Sequence, residues 1–352
     1  MMQQSQKNND NKAITIYDIA KEAGVSPATV SRVLSKSANV RKEKREKVQE
    51  LIDKYNFKPN ALAKGLAATK TMTIGIMAAD VRNPYYASLF VACEQAARDK
   101  GYTVVLCNSF GEITQEKELL DTMQRQKVDA IIQFGGRVDD LISNVEYVEE
   151  INEVMSSIPV IITGKLDGTR CHAVRIDSMK ACELLMNHLI ELGHQKIALI
   201  GGRKDVLATF EKHQKYKLML KENMIEFDEK FISADGGYDF ETGYERMSQM
   251  LDKNIVPTAV IAINDFSAIG VMKSIEEHGY RIPEDISVVS YDNTYMAQIA
   301  TPRLTSIDYN YEEYGKKLID TTIAMINGEK RDTLRMVTPT LVIRESSAKV
   351  RN

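Results

Sequence analysis

Between Ser26 and Arg32 the chain reads SPATVSR, a run of side chains suited to touching a DNA duplex. Pro27 and Ala28 offer small apolar surfaces that fit a thymine methyl group, and Arg32 carries the forked guanidinium that pairs with guanine O6 and N7. Thr29 and Ser31 carry hydroxyls that reach phosphate oxygens. A second set lies just after apolar runs: Asn83-Pro84-Tyr85-Tyr86, Gly135-Gly136-Arg137, Gly164-Lys165, Asn264-Asp265, Asp292-Asn293 and Asp308-Tyr309-Asn310. Flat tyrosine faces beside carboxylates and amides suit a sugar, which packs its C–H side on a ring and pairs its hydroxyls; a nucleobase uses the same groups. Catalysis is not expected. His172, His188, His194, His213 and His278 are spread apart without metal-ligand spacing, and neither G-x-S-x-G nor a P-loop occurs. No catalytic residue, metal or cofactor is therefore expected, and the chain does not read as an enzyme.

The elements that must hold the first set are two short helices. Thr15 caps a helix with Asp18 in its first turn, where the helix dipole favours an anion. Ile19, Ala20 and Ala23 follow at helical spacing. Gly24 ends that helix, because glycine takes positive φ without steric cost. Ser26-Pro27 starts the next one, with Ser as N-cap and Pro at the first helical position. Val30, Val33 and Leu34 form its buried stripe, and the pair reads as a helix-turn-helix. The cationic run RKEKREK (Arg41 to Lys47) supplies attraction to any duplex, or the solvated side of a third helix.

Charge divides the chain in the same place. Residues 1–72 hold 14 Lys+Arg against 7 Asp+Glu, and the remainder hold 32 against 42. A basic amino-terminal piece on an acidic body is the asymmetry of a small DNA-binding head on a larger soluble domain. The opening MMQQSQKNNDNK lacks the apolar core of a secretory signal, and no apolar run approaches the ~20 residues that span a bilayer. Cys93, Cys107, Cys171 and Cys182 are scattered, as expected of buried thiols in a reducing cytoplasm.

From Met72 onward, apolar runs alternate with amphipathic stretches. TIGIMAAD, TVVLCNS, DAIIQFG, PVIITG, AVRID, KIALIGG, AVIAIN and ISVVSYD predict strands joined by helices, hence parallel sheets covered on both faces. The strands are too many for one sheet and the series restarts near Ala173. Two similar lobes are expected, with LTSIDYN and TLVIRESS returning across both to make a hinged cleft. Open α/β sheets bind ligands beyond the carboxyl ends of their strands.

ITIYDIAKEAGVSPATVSRVL, then Val40, then YNFKPNALAKGLAATKTMTIGI, resembles the LacI/GalR (lactose/galactose repressor) family, over a stretch from about Thr15 almost to the chain's end. The resemblance implies an all-α helix-turn-helix head on an α/β two-lobed, periplasmic-binding-protein-like body. The expected limits are an arm over 1–13, the DNA-binding domain over 14–59, a hinge over 60–71 and the body over 72–347. The N-lobe takes about 72–170 and 300–328, the C-lobe about 171–299 and 329–347. It places Pro27, Ala28 and Arg32 on base edges, and Thr15, Tyr17, Thr29, Ser31, Asn39 and Asn60 near phosphates. Leu66 falls where the family wedges a leucine between base pairs in the minor groove. Tyr86, Asn264, Asp265, Asp292 and Tyr309 become effector candidates. Lys212 stands where the family usually has an arginine, and lysine lacks the bidentate fork. The implied function is a cytoplasmic, homodimeric, sequence-specific regulator, most often a repressor, whose affinity for a pseudo-palindromic operator responds to a small molecule, a sugar first. The same reader under a protein corepressor on the N-lobe, or a solute-binding protein without gene regulation, are the alternatives. The ending ESSAKVRN carries no apolar heptads, so a dimer rather than a tetramer is expected.

Overall fold

The computed structural model describes residues 14–34, 40–57, 70–233 and 235–351. The arm over 1–13, most of the hinge, and Asn39, Asn60 and Leu66 lie outside the described residues. The chain divides into two units, Met1–Thr71 and Met72–Asn352.

The first unit holds three helices: α1 (Ile16–Ala23), α2 (Pro27–Leu34) and α3 (Lys42–Lys54). A capping box opens α1. The Asp18 amide donates to Thr15 Oγ1 at 3.3 Å, and the Thr15 amide donates back to the Asp18 carboxylate at 2.8 Å. Gly24 closes the helix at φ 68°, ψ 37°. The Val25 amide donates to Ala20 O and the Gly24 amide to Lys21 O, the paired bonds of a Schellman turn. Ser26 then starts α2, its Oγ accepting from the Thr29 amide. Ile19, Ala20, Ala23, Val30 and Val33 pack against Val48, Leu51 and Ile52 of α3 in one small core. The small Ala20 lets the helices approach, and Lys54 ties α3 back to Glu22 at 2.9 Å.

The second unit contains two six-stranded sheets. The first joins β1 (Thr73–Ala78), β2 (Thr103–Asn108), β3 (Ala130–Phe134), β4 (Val160–Ile162) and β5 (His172–Ile176). The helices α4 (Pro84–Asp99), α5 (Ile113–Arg125) and α6 (Val145–Met155) connect its strands. After α7 (Ser178–Glu191) the second sheet follows: β6 (Ile197–Ile200), β7 (Ile232–Ser233), β8 (Ala259–Ala262), β9 (Ser287–Asp292) and β10 (Thr305–Asp308). Its connecting helices are α8 (Leu207–Glu222), α9 (Phe240–Asp252), α10 (Asp265–Glu277) and the short α11 (Tyr295–Ile299). Then α12 (Tyr311–Ile326) and β11 (Leu334–Val337) rejoin the first lobe, and β12 (Thr340–Val342) ends in the second. The strand orders are β11-β5-β4-β3-β1-β2 and β12-β10-β9-β8-β6-β7, parallel except where β12 meets β10. Apolar side chains fill both faces of both sheets, which is why the strands read as continuous runs rather than alternations.

The chain crosses between lobes after β5, after β10 and after β11, and this shifts the expected lobe limits. His172–Ile176 belongs to the first sheet, not to a C-lobe beginning at 171. Its link from β4 is a loop without a helix, and that missing helix is what made the series look restarted. Thr305–Asp308 lies in the second sheet, not in an N-lobe spanning 300–328, and Leu334–Val337 lies in the first, not in a C-lobe spanning 329–347. The half-exposed β11 has no continuous apolar run to announce it.

The turn between α1 and α2 gives a direct test. A Cβ at Gly24 would meet nothing within 4 Å, so the cost of a side chain there is purely that of the left-handed backbone. Gly24→Val is expected to destabilise the first unit by about 1–2 kcal/mol. Hydrogen exchange should accelerate in residues 16–34 and stay unchanged in the β-strands of the body; equal exchange in both proteins would remove the turn from the argument.

Candidate functional site

On α2 the polar face stands free of the core. Pro27, Ala28, Ser31 and Arg32 are exposed and Thr29 is half-buried, its hydroxyl 3.0 Å from Ser26 Oγ. Thr15 and Tyr17 are exposed at the start of α1, Tyr17 at 71%. Lys42, Lys44, Arg45 and Lys47 are exposed along α3. An apolar stripe that buries Val30 and Val33 thus turns a row of small, hydroxyl and cationic groups outward. Such a surface admits the close approach that base edges require.

The body contains a cleft of about 560 Å³ between its lobes, lined from both sides. Tyr86, Lys212, Asn264, Asp292 and Tyr309 line it; Asp265 does not. Asp265 is fully buried beneath the wall. Its carboxylate accepts from the Ser290 and Ser306 hydroxyls, from the Thr294 amide at 2.6 Å and from Thr294 Oγ1 at 2.9 Å. With four donors already in place it acts as a structural clasp, and this corrects its reading as a ligand contact. Asn264 divides its work: its Oδ1 caps α10 by accepting from the Ser267 amide, and its Nδ2 donates to Tyr238 O. Asp292 closes β9 at φ 102°, a backbone value that costs energy in a non-glycine residue.

Lys212 is buried, and its ammonium sits 3.8 Å from the centre of the Tyr291 ring. Burial lowers its pKa, against the pull of Asp292. Burial likewise raises the Asp292 carboxyl, helped by Asp265 and opposed by Lys212 and the Tyr309 hydroxyl.

The opposite wall is set by two glycines after β3. Gly135 and Gly136 both take φ 73°. A Cβ on Gly135 would fall 2.2 Å from Tyr86 Oη and one on Gly136 1.8 Å from Glu116 Oε1. Glu116 is buried, accepts from the Arg137 amide and Gln133 Nε2, and is pushed up to about 7, chiefly by burial. The turn that follows presents Asp139 to the cleft. Asp139 is half-buried, and its carboxylate makes no hydrogen bond or ion pair among the described residues. Burial, then the neighbouring Asp140, pushes its pKa up to about 7 against the influence of Arg175. Reading only the residues that directly follow strands reached Gly135, Gly136 and Arg137 but stopped short of Asp139. It also missed Arg175, Arg203 and Tyr238, which line the same space.

The lobes are tied across the cleft. Arg175 of β5 pairs with Glu211 of α8 at 2.8 Å, and the Leu141 amide donates to Asp205 O at 2.7 Å beside an antiparallel bridge between Asp140 and Val206. Tyr85 meets Tyr309 edge-on, ring centres 6.0 Å apart. Among the described residues no cluster of three His, Cys, Asp or Glu could hold a metal ion, and no helix is long and apolar enough to cross a membrane.

Residues 15–60 match the family described as bacterial regulatory proteins, lacI family, and residues 186–347 match a periplasmic binding protein-like domain. Catabolite control protein A of Staphylococcus epidermidis is 33% identical over 328 residues, 93% of this chain and 96% of that protein. The lac repressor dimer bound to operator and the anti-inducer ONPF superposes with a TM-score of 0.85 at 27% identity, over 96% of this chain and 100% of that one. The transcriptional regulator CelR in complex with cellobiose gives 0.69 at 26% identity, over 95% and 99%.

A desolvated carboxylate without a donor lowers stability once it is ionised. Unfolded, Asp139 has its ordinary pKa of 3.8; folded, the pKa is about 7. Between these values the native state holds the extra proton, so this group's contribution falls as pH rises through that window and the loss is complete above the folded pKa. Asp139→Asn is expected to raise the melting temperature of the unliganded protein at pH 8 by several degrees, at roughly 2–4 °C per kcal/mol. The gain should shrink at pH 5. Scanning calorimetry at the two pH values checks this; a variant that melts lower at pH 8 would show that a partner had been removed.

Proposed function

The chain belongs to the LacI family of bacterial regulatory proteins and is a DNA-binding transcriptional regulator, and on that premise we propose a cytoplasmic repressor whose operator affinity is set by a small molecule held between the lobes of the body. Two copies read the two halves of a pseudo-palindromic site. Pro27, Ala28 and Arg32 meet base edges. Thr15, Tyr17, Thr29, Ser31, Asn39 and Asn60 meet phosphates, and paired Leu66 side chains wedge the central step. The exposed, weakly charged face of α2 supports the base-reading role, and the lysines and arginines of α3 supply the salt-dependent term.

The observation that carries the effector half is the cleft. Its roughly 560 Å³ lies in the range of small-molecule sites, and it sets tyrosine rings beside carboxylates, amides and one lysine. These are the groups a sugar requires, with Tyr86, Lys212, Asn264, Asp292 and Tyr309 as its contacts. Asp265 holds the wall behind them. A concave pocket of this chemistry between the lobes favours a small ligand over a docked protein corepressor.

Operator titration tests both halves. Arg32→Ala is expected to relax base preference by about 1–3 kcal/mol at one position of the site. An equal loss on every sequence would reassign Arg32 to a phosphate. For the cleft, ligands found by thermal shift among neutral sugars, amino sugars and purine bases should change operator affinity by a coupling of ~1–3 kcal/mol, and operator should change ligand affinity by the same factor. Ligands that bind the body and leave operator affinity unaltered would defeat the small-molecule switch.

A further inference from the structure

The ion pairs that line the cleft leave a net of uncompensated carboxylates. Arg82 pairs with Asp80 at 2.7 Å, Arg137 with Asp140 at 3.1 Å, Arg175 with Glu211 at 2.8 Å and Arg203 with Asp205. Each lining guanidinium thereby has a carboxylate partner in the protein, although Arg137 Nε is buried without a hydrogen-bond partner. Among the described lining residues Lys212 alone is a cation without a carboxylate within 4 Å. Asp139, Asp239, Glu241 and Asp292 are carboxylates with no cation that close. A phosphate or carboxylate on a ligand would meet the unpaired carboxylates of this wall unfavourably, since each nearby guanidinium already has a carboxylate partner.

Asp139 stands apart from the other three: Glu241 has no partner either but is exposed to solvent. Asp239 accepts from the Thr242 amide at 2.8 Å and caps α9. Asp292 faces Lys212 and the Tyr309 hydroxyl. Asp139 has no hydrogen bond or ion pair among the described residues, and it shares the cleft lining with Tyr85, Tyr86, Tyr238 and Tyr314. A carboxylate among tyrosine rings, open on the cleft side, is the environment that stabilises an ammonium, through a charge-assisted hydrogen bond and through ring quadrupoles.

We propose that the effector carries a protonated amine, an amino sugar or comparable polyhydroxylated amine, and that Asp139 is the residue that selects it, an inference that rests on the cleft being the effector site. The amine supplies the donors Asp139 lacks. The hydroxyl-bearing remainder lies toward Asn264, Asp292 and Tyr309. Lys212, a point charge without a fork, suits a neutral hydroxyl at the far side and disfavours the amine there, which fixes the ligand's direction.

Calorimetric titration of the full-length protein separates the outcomes. The probes are glucose, galactose and mannose, their 2-amino-2-deoxy counterparts and their 6-phosphates. At least one amino sugar is expected to bind about tenfold or more tightly than its neutral parent, and the 6-phosphates more weakly than either. Asp139→Asn should abolish the amine preference and leave the neutral parent's affinity within about threefold. Its melting profile verifies that it is folded, and Asp139→Ser provides the same test with a smaller side chain. The proposal is overturned if a neutral sugar or a 6-phosphate binds more tightly than the matching amine, if the preference survives both substitutions, or if no amino sugar binds. Operator titration then separates the two levels. Neutral sugars that bind and shift operator affinity leave the effector site in place without the amine. Probes that bind and never shift it remove the site's regulatory reading itself.

Discussion

The Asp265 carboxylate is the interaction on which the cleft depends. It gathers donors from β9 through Ser290, from β10 through Ser306, and from the turn into α11 through Thr294, while itself starting α10. Four elements converge on one charge. Each donor offsets part of the cost of burying it, although burial still pushes its pKa up to about 6. The backbone just after β9 leaves the ordinary regions of φ at Asp292 and Asn293. That conformation is held because the next amide, Thr294, is tied to Asp265 and because Asn293 donates to Ser306 Oγ and accepts from Arg344. Asp292 therefore faces the cleft as a consequence of a clasp that never touches it.

Asp265 and Asp139 are the same residue type under opposite conditions. Asp265 is fully buried and has four donors, whereas Asp139 is half-buried on the cleft and has none among the described residues. A carboxylate that has collected its donors belongs to the scaffold, and a desolvated one that has collected none is held at an energetic cost that the fold tolerates where a ligand completes it. The ties across the cleft belong to the same account. Arg175–Glu211 and the Leu141–Asp205 bond tie the lobes to each other, and a ligand alters the lobe geometry only through a difference in its contacts between two arrangements.

Much of this was legible in the sequence. The continuous apolar strands announced two buried parallel sheets, and Thr15, Gly24 and Ser26 announced the limits of α1 and α2 because each cap uses one residue's local chemistry. Lobe membership was less accessible. β5 follows β4 without a helix and β11 is short and half-exposed, so neither produced the period on which the reading relied. Within the cleft, the rule of looking just past strand ends reached Tyr86, Asn264, Asp292 and Tyr309. It could not separate Asp265 from Asp292, since that distinction rests on hydroxyls from Ser290 and Ser306 far along the chain. It stopped before Asp139, which enters the cleft only because two glycines turn the chain back after β3.

The departure at Lys212 and the isolation of Asp139 belong together. An arginine at position 212 would bring a fork able to hold an anionic or strongly accepting ligand group, and an unpaired carboxylate across the same small cavity would then compete for it. With lysine there, one end of the cleft holds a compact, ring-stacked cation that feels Asp292 without contacting it, and the half-buried Asp139 at the other end has no donor among the described residues. Sites of this kind discriminate by omission: a ligand that covers the half-buried carboxylate without supplying a donor leaves it unsatisfied, a larger difference than one missing methylene in an apolar pocket. Selectivity in this cleft thus follows from what the protein leaves unpaired, and its rigidity from what Asp265 has already paired.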